Sequence, residues 1–125
     1  MEQEEYLESQ TNRIRPVADE IKQEKTADDR MVALLDVLTE TVPAPETGRF
    51  YTFVYLAKTP RIRYDQNPLI ACTEVLPWGF RGINFHWNSY RNYTWEEVVG
   101  DLHLVYPNEM VDAKSIPFQY FRINN

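Results

Sequence analysis

The first third of the chain places apolar residues at helical intervals. Ile14, Val17 and Ile21 recur at helical spacing and form a thin apolar stripe. Pro16 lacks the N–H that a helix interior requires, although proline is tolerated in a first turn. The pattern therefore predicts a helix that begins near Arg15, with an apolar face too narrow to bury much surface by itself.

A second helical pattern follows and is clearer than the first. Thr26 is placed to cap the helix, and Asp28 and Asp29 fall in the first turn, where carboxylates complement the helix dipole. The helix must end before Pro43, because proline pushes the residue before it away from helical geometry. Its apolar face contains Met31, Leu34, Leu35, Leu38 and Val42.

The pattern then changes to that of β-strands. In residues 50–58 both sets of alternate positions are apolar, which predicts a strand covered on both faces. Residues 59–68 are too polar for a regular strand and predict a long loop, after which the β pattern resumes over residues 69–76. Pro77 and Gly79, with Gly82 close behind, indicate a tight turn.

Four further elements are predicted beyond this turn, and one of them is a helix over residues 95–104. Ile83, Phe85 and Trp87 alternate with polar residues, which is typical of a strand with one buried face. A short helical turn is predicted at residues 108–113, and a final strand at residues 116–123.

Residues 94–97 have the spacing of a capping box. In this motif the Thr94 side chain accepts from the amide three residues on, while Glu97 reaches back to the cap. The motif predicts a helix over residues 95–104, although Gly100 weakens a helix by about 1 kcal/mol relative to alanine.

These elements predict an α+β protein. We expect an acidic helical arm with a Pro-rich connector over residues 1–48, in which residues 1–10 are ordered loosely or only by a partner. A small β-rich domain is expected over residues 49–125, as a strongly bent sheet or SH3-like barrel with one capped helix. A four-stranded open sheet covered by the second helix is the alternative.

Charge and aromatic content support this division. Residues 1–48 hold 5 Lys/Arg and 12 Asp/Glu, a net charge of −7, whereas residues 49–125 hold 8 and 7, a net charge of +1. Every aromatic residue except Tyr6 lies in the second part. An acidic arm disfavours direct contact with nucleic acid. The chain shows neither a signal peptide nor a membrane-spanning segment, so we expect an intracellular product without membrane insertion.

Few residues form a pattern that indicates catalysis. His86 could pair with Glu96 or Glu97 in a metal or acid–base site, but no metal-ligand spacing supports this, and His103 has less in its favour. The single cysteine, Cys72, stands in an apolar strand and is expected to be a small buried hydrophobe. We therefore expect no enzyme activity and no cofactor.

The loops of the second part combine cations with aromatic residues. Two interpretations are open: contact surfaces for protein partners, and a site that stacks and neutralises a nucleic acid. The small net charge of this part favours protein contacts and leaves nucleic-acid binding as the alternative. The expected contact residues are the helical stripe Met31, Leu34, Leu35 and Leu38 together with the loop residues Arg61, Arg63, Tyr64, Trp78 and Arg81.

Three stretches in the second part form a recognisable pattern. They read GRFYTFVYLAKTP over residues 48–60, RYDQNPL over residues 63–69 and GFRGINFH over residues 79–86. This pattern resembles small virion structural proteins of tailed phages related to the T-even group, from cyanobacterial and marine hosts. The resemblance covers about residues 48–123. It implies a component of the tail, baseplate or neck, made in the host cytoplasm, present in multiple copies and in contact with other virion proteins.

Overall fold

The computed structural model describes residues 10–124, which form a mixed α+β structure around one antiparallel sheet. The predicted order of residues 1–9 lies outside the described part of the chain. The helices of the structure are α1 (Ala18–Lys22), α2 (Ala27–Val37) and α3 (Met110–Ser115), and 3-10 turns lie at Arg15–Val17, Trp95–Glu97 and Pro107–Glu109. The strands are β1 (Thr41–Val42), β2 (Phe50–Tyr55), β3 (Arg63–Tyr64), β4 (Leu69–Leu76), β5 (Gly79–Asn84), β6 (Ser89–Thr94), β7 (Val98–Val105) and β8 (Arg122–Ile123).

The main sheet has six strands in the order β1-β7-β2-β4-β5-β6, and every neighbouring pair is antiparallel. The register shifts between Thr52 and Val54 where β2 pairs with β7, and between Cys72 and Glu74 where β4 pairs with β5. Irregularities of this kind increase the local twist and bend a strand. Strands β3 and β8 form a separate two-stranded sheet.

Two hydrophobic cores hold the fold together. The first is rich in aromatic residues, with Phe53 fully buried and in edge-to-face contact with Phe80 and Tyr93. The second combines N-terminal residues such as Ile14 and Leu34 with sheet and C-terminal residues that include Val105 and Ile116. The described part of the predicted arm therefore packs on the β-rich part. The division at residue 48 itself stays a prediction.

The strongest local signals are confirmed. Helix α2 is capped by Thr26, whose hydroxyl accepts from the Asp29 amide at 3.0 Å. Strand β4 has the predicted bounds, and the two-residue turn before β5 lies at Pro77 and Trp78. The short helical turn near residues 108–113 is also present, as a 3-10 turn that continues into α3.

The helix predicted over residues 95–104 is wrong. Only the 3-10 turn Trp95–Glu97 is helical, and residues 98–105 form β7. The Thr94 hydroxyl donates to the Glu97 carboxylate at 2.6 Å and does not cap a backbone amide. Pairing of β7 with β2, from Val98 opposite Tyr55 to Val105 opposite Phe50, satisfies the backbone instead. Long-range strand pairing overrides the local helical signal here.

The strand predicted at residues 83–87 is displaced. Strand β5 runs from Gly79 to Asn84, so Gly82 lies inside a strand, and residues 85–88 form the turn. The Asn84 side chain accepts from the amides of His86 and Trp87 at 2.8 and 3.0 Å, which stabilises this turn. Strand β6 was not predicted, because its sequence is mostly polar. The predicted last strand, residues 116–123, is reduced to β8.

Candidate interaction surfaces and a buried polar cluster

A groove of about 530 Å³ lies beside the β4–β5 turn and the 3-10 turn that precedes β7. We call it the Trp78–Trp95 groove. Trp78 is 43% exposed. The groove is lined by Lys58, Pro77, Trp78, Thr94, Trp95, Glu96 and Glu97.

The two turns are fastened to each other through Trp95. Its indole Nε1 donates to the Pro77 carbonyl at 2.9 Å, and its amide donates to the Trp78 carbonyl at 3.3 Å. The Trp95 ring also packs against Phe80 of the aromatic core, with ring centres 5.4 Å apart. The wall of the groove is therefore anchored to the rigid part of the fold, and Trp78 projects from an anchored turn.

Glu97 organises the floor of this groove. Its carboxylate accepts from the hydroxyls of Tyr55 and Thr94 and from the Lys58 amide, each at 2.6 Å. Burial raises the pKa of this carboxyl, but the hydrogen bonds, led by that from Thr94, outweigh burial, and the net pKa is lowered. Burial and the bond to Glu97 raise the pKa of Tyr55 to about 12. Glu97 is thus committed to structure, whereas Glu96 is exposed.

A buried polar cluster surrounds Asp65, Asn84 and His86. The Asp65 carboxylate accepts from the Asn84 side-chain amide at 2.9 Å and lies 2.8 Å from His86 Nδ1. Its other oxygen accepts from the Asn67 amide at 3.1 Å. Asn84 also donates to the Tyr93 hydroxyl at 3.1 Å, and burial strongly raises the pKa of that hydroxyl.

The His86 side chain is buried, and its partner is Asp65, whereas the sequence suggested Glu96 or Glu97. Its side chain is 1% exposed, its ring stacks on Tyr120 at a centre distance of 3.9 Å, and Nε2 has no hydrogen-bond partner within residues 10–124. The pairing with Glu96 or Glu97, which the sequence allowed but did not favour, is not formed, because Nδ1 contacts Asp65. Within the described residues, no group of three or more His, Cys, Asp or Glu could hold a metal ion.

The two other candidates for chemistry serve the fold. His103 Nδ1 lies 2.6 Å from the Leu38 carbonyl, at the end of helix α2. Cys72 is buried in β4, and burial raises the pKa of its thiol, which keeps the sulfur protonated. Cys72 is therefore not presented to solvent, whereas His103 is partly buried.

The predicted helical stripe lies inside the molecule. Met31, Leu34 and Leu38 are buried in the second core, and Leu35 packs against that core while partly buried. These side chains are consequently unavailable to another protein in this conformation. The remaining predicted contact residues lie in or beside the strands of the two sheets.

The predicted loop residues occupy different environments. Trp78 lies in the groove, whereas Arg81 is paired with Glu74 at 3.3 Å and with the Asn92 side chain at 2.9 Å. Tyr64 is partly buried, with its ring edge-to-face on Tyr55. Arg61 and Arg63 are exposed.

Arg63 belongs to a stack that the sequence did not predict as a unit. Its guanidinium lies over Trp87, which also contacts Arg91, and over the ring of Phe121. The interleaving of cations and aromatic residues was the available signal for this stack. It did not identify Trp87 or Phe121, because the pairing of distant segments brings them together.

None of the helices described between residues 10 and 124 has the length and apolar character needed to cross a membrane. Comparison with protein-family models, with curated proteins and with solved structures finds no match to this chain.

Proposed function

We propose that this chain is a non-enzymatic assembly protein of a tailed-phage virion, in the tail, baseplate or neck, which acts through contacts with other virion proteins. The resemblance of residues 48–123 to such proteins supports the setting. The observation that carries the contact role is the Trp78–Trp95 groove, where an anchored turn holds a large aromatic side chain 43% exposed. Partly exposed tryptophans in grooves are frequent anchors of protein interfaces.

We further propose that the sheet is an SH3-like barrel. Strands β7-β2-β4-β5-β6 form a continuous antiparallel order, a long loop separates β2 from β4, and a 3-10 turn separates β6 from β7. Both register shifts fall in strands that run through the middle of this order, where a bend lets a sheet curl around its core. The aromatic core enclosed by β2, β5 and β6 agrees with such curling.

In this proposal the groove receives an extended segment of a neighbouring protein. SH3 domains bind proline-rich segments in aromatic-lined grooves, and such segments lose little entropy because they are already extended. Trp78 and Trp95 supply flat apolar walls, and the exposed Glu96 favours a partner segment that carries a basic residue. Because Glu97 is occupied by three donors, Glu96 is the carboxylate that remains to select charge.

The test replaces Trp78 with a photo-crosslinking phenylalanine analogue in the full chain and irradiates purified phage particles. We expect the protein to be present in the particles and to crosslink to one virion protein through this position. The matched control places the same analogue at Tyr90, which is 65% exposed and belongs to β6, outside the groove lining.

Two results would contradict the proposal. Absence of the protein from purified particles by mass spectrometry would reject the virion role. Equal crosslinking from residues 78 and 90, in particles that contain the protein, would reject the groove as the contact site. A Glu96→Lys variant adds a charge test, because we expect it to lower incorporation into particles while Glu74→Lys, on β4, does not.

A further inference from the structure

Four side chains form a continuous stack on the surface, in the order Arg91, Trp87, Arg63, Phe121. The Arg91 guanidinium lies 4.7 Å from the Trp87 ring centre, and that of Arg63 lies 5.4 Å from the same centre. Arg63 also lies 4.7 Å from the ring centre of Phe121. We call this set the Arg–aromatic stack. It uses none of the residues that line the Trp78–Trp95 groove.

Three separate segments build the stack, and each is fixed by backbone pairing. Arg63 is in β3, which pairs with β8 just after Phe121. Trp87 lies in the β5–β6 turn, which Asn84 stabilises, and Arg91 is in β6 opposite Gly82. Arg91 also donates to the Arg63 carbonyl at 3.3 Å, which ties two of the segments directly. The stack is therefore organised before any ligand arrives.

In the described part of the chain, no carboxylate pairs with the cations of the stack. Within residues 10–124 neither Arg63 nor Arg91 forms an ion pair, whereas Arg13, Arg15, Arg81 and Arg122 each do. A guanidinium that stacks through its face keeps its N–H groups at the edge, where they can donate to an anion in a fork. Arg63 is exposed, and so is Phe121, at 42%.

We infer that the Arg–aromatic stack is a binding site for single-stranded nucleic acid, a role that goes beyond the proposed assembly function and is independent of it. An exposed ring such as that of Phe121 stacks against a base, and the neighbouring guanidinium groups donate hydrogen bonds to the phosphates that connect the bases. Arg61, also exposed and without an ion pair in the described residues, lies two positions before Arg63 and extends the cationic track.

An acidic protein segment is the competing ligand, and the structure favours nucleic acid over it. Carboxylates would use the guanidinium edges but leave the exposed ring of Phe121 without a matching partner. A strand of nucleotides alternates anion and aromatic ring, as the stack alternates cation and aromatic ring. The net charge of −6 predicts weak binding that is steeply sensitive to salt.

The test measures fluorescence anisotropy of labelled oligothymidine of about 15 nucleotides with the full chain, starting at about 50 mM salt. We expect saturable binding that falls about tenfold or more in the Arg63→Ala/Arg91→Ala double variant. The slope of log affinity against log salt should fall by about 1.4, since each phosphate contact to a single strand contributes about 0.7. Arg81→Ala is the control, because Arg81 is already paired with Glu74.

Substitution of the rings separates stacking from charge. We expect Phe121→Ala to weaken binding several-fold while the salt slope stays unchanged, because no charge is lost. Circular dichroism verifies that each variant is folded. No binding at low salt, or equal losses in the Arg81 control and the double variant, would overturn the inference. Tighter binding of a polyglutamate peptide than of oligothymidine would assign the stack to an acidic protein segment instead.

Discussion

Arg13 and Glu109, which lie 96 residues apart in the chain, form a two-point ion pair at the base of the second core. Arg13 Nε and one terminal nitrogen each donate to a different carboxylate oxygen at 2.9 Å. The carboxylate also accepts from the Arg13 and Tyr106 amides at 2.6 and 2.8 Å, and the guanidinium lies over the Tyr106 ring. Glu109 is fully buried, and this set of contacts explains how the fold accommodates its charge.

The first prediction concerns this pair. Arg13→Ala leaves the Glu109 carboxylate buried without its cation, which we expect to cost about 3–5 kcal/mol of the free energy of unfolding. Urea denaturation at neutral pH measures this cost. Arg15→Ala is the matched control: Arg15 pairs with Asp112 at 3.2 Å but is 67% exposed, and exposed pairs contribute about 0–1 kcal/mol. Similar losses in the two variants would show that the buried pair contributes no more to the free energy of unfolding than the exposed pair.

The second prediction concerns the bond between Tyr55 and Glu97. The pKa of Tyr55 is about 12 in the fold against an ordinary value of 10.0, so the folded state retains a proton that the unfolded chain releases. Stability is therefore complete below pH 10 and falls between pH 10 and about 12, by about 2–3 kcal/mol for this residue. Tyr55→Phe should make that decline shallower in urea titrations across the range. An unchanged decline would assign it to other groups, and Tyr90→Phe, on the exposed face of β6, is the control.

Glu97 leads us to expect a second loss of stability, at acid pH. Because its pKa is lowered in the fold, its contribution to stability is present above the ordinary value of 4.5 and is lost as pH falls through the folded value. Tyr55 thus lowers the free energy of unfolding at alkaline pH and Glu97 lowers it at acid pH. One series of unfolding curves across the pH range measures both contributions.

The third prediction uses two glycines as a matched pair. A Cβ at Gly79 would lie 1.9 Å from the Tyr93 carbonyl oxygen across the β5–β6 ladder, so Gly79→Ala must push two strands apart. We expect a loss of about 3 kcal/mol or more. Gly100 has φ of 75° but no atom within 4 Å of an added Cβ, so Gly100→Ala should cost only about 1 kcal/mol of backbone strain. Thermal unfolding of both variants separates close packing from strain, and equal shifts would contradict this explanation.

The sequence predicts the elements whose signals are local and fails where distant segments decide. Helix α2 was predicted from its capping threonine and apolar face, and strand β4 from a mostly apolar run that includes Ile70, Thr73 and Val75. Strand β7 was mistaken for a helix because its determinant is β2, about 50 residues earlier in the chain. Trp78 was predicted as a contact residue from its turn, and it lines a groove. Trp87 and Phe121 could not be joined to Arg63 without the pairing of β3 with β8.

Residues near both ends of the described chain contact partners that are distant in sequence, and this has a consequence for folding during synthesis. Arg13 pairs with Glu109, and β2 pairs with β7. The Asn124 side chain donates to the Ala57 carbonyl at 2.7 Å. Contacts so distant in sequence slow folding, because the entropy of closing a large loop is lost before any contact forms. On the ribosome, the first core is completed only when residues up to Tyr106 have emerged, and the second only when residues up to Ile116 have emerged. The edge of β2 that pairs with β7 therefore stays unpaired through most of elongation, and protection from aggregation during that interval is a requirement of this topology.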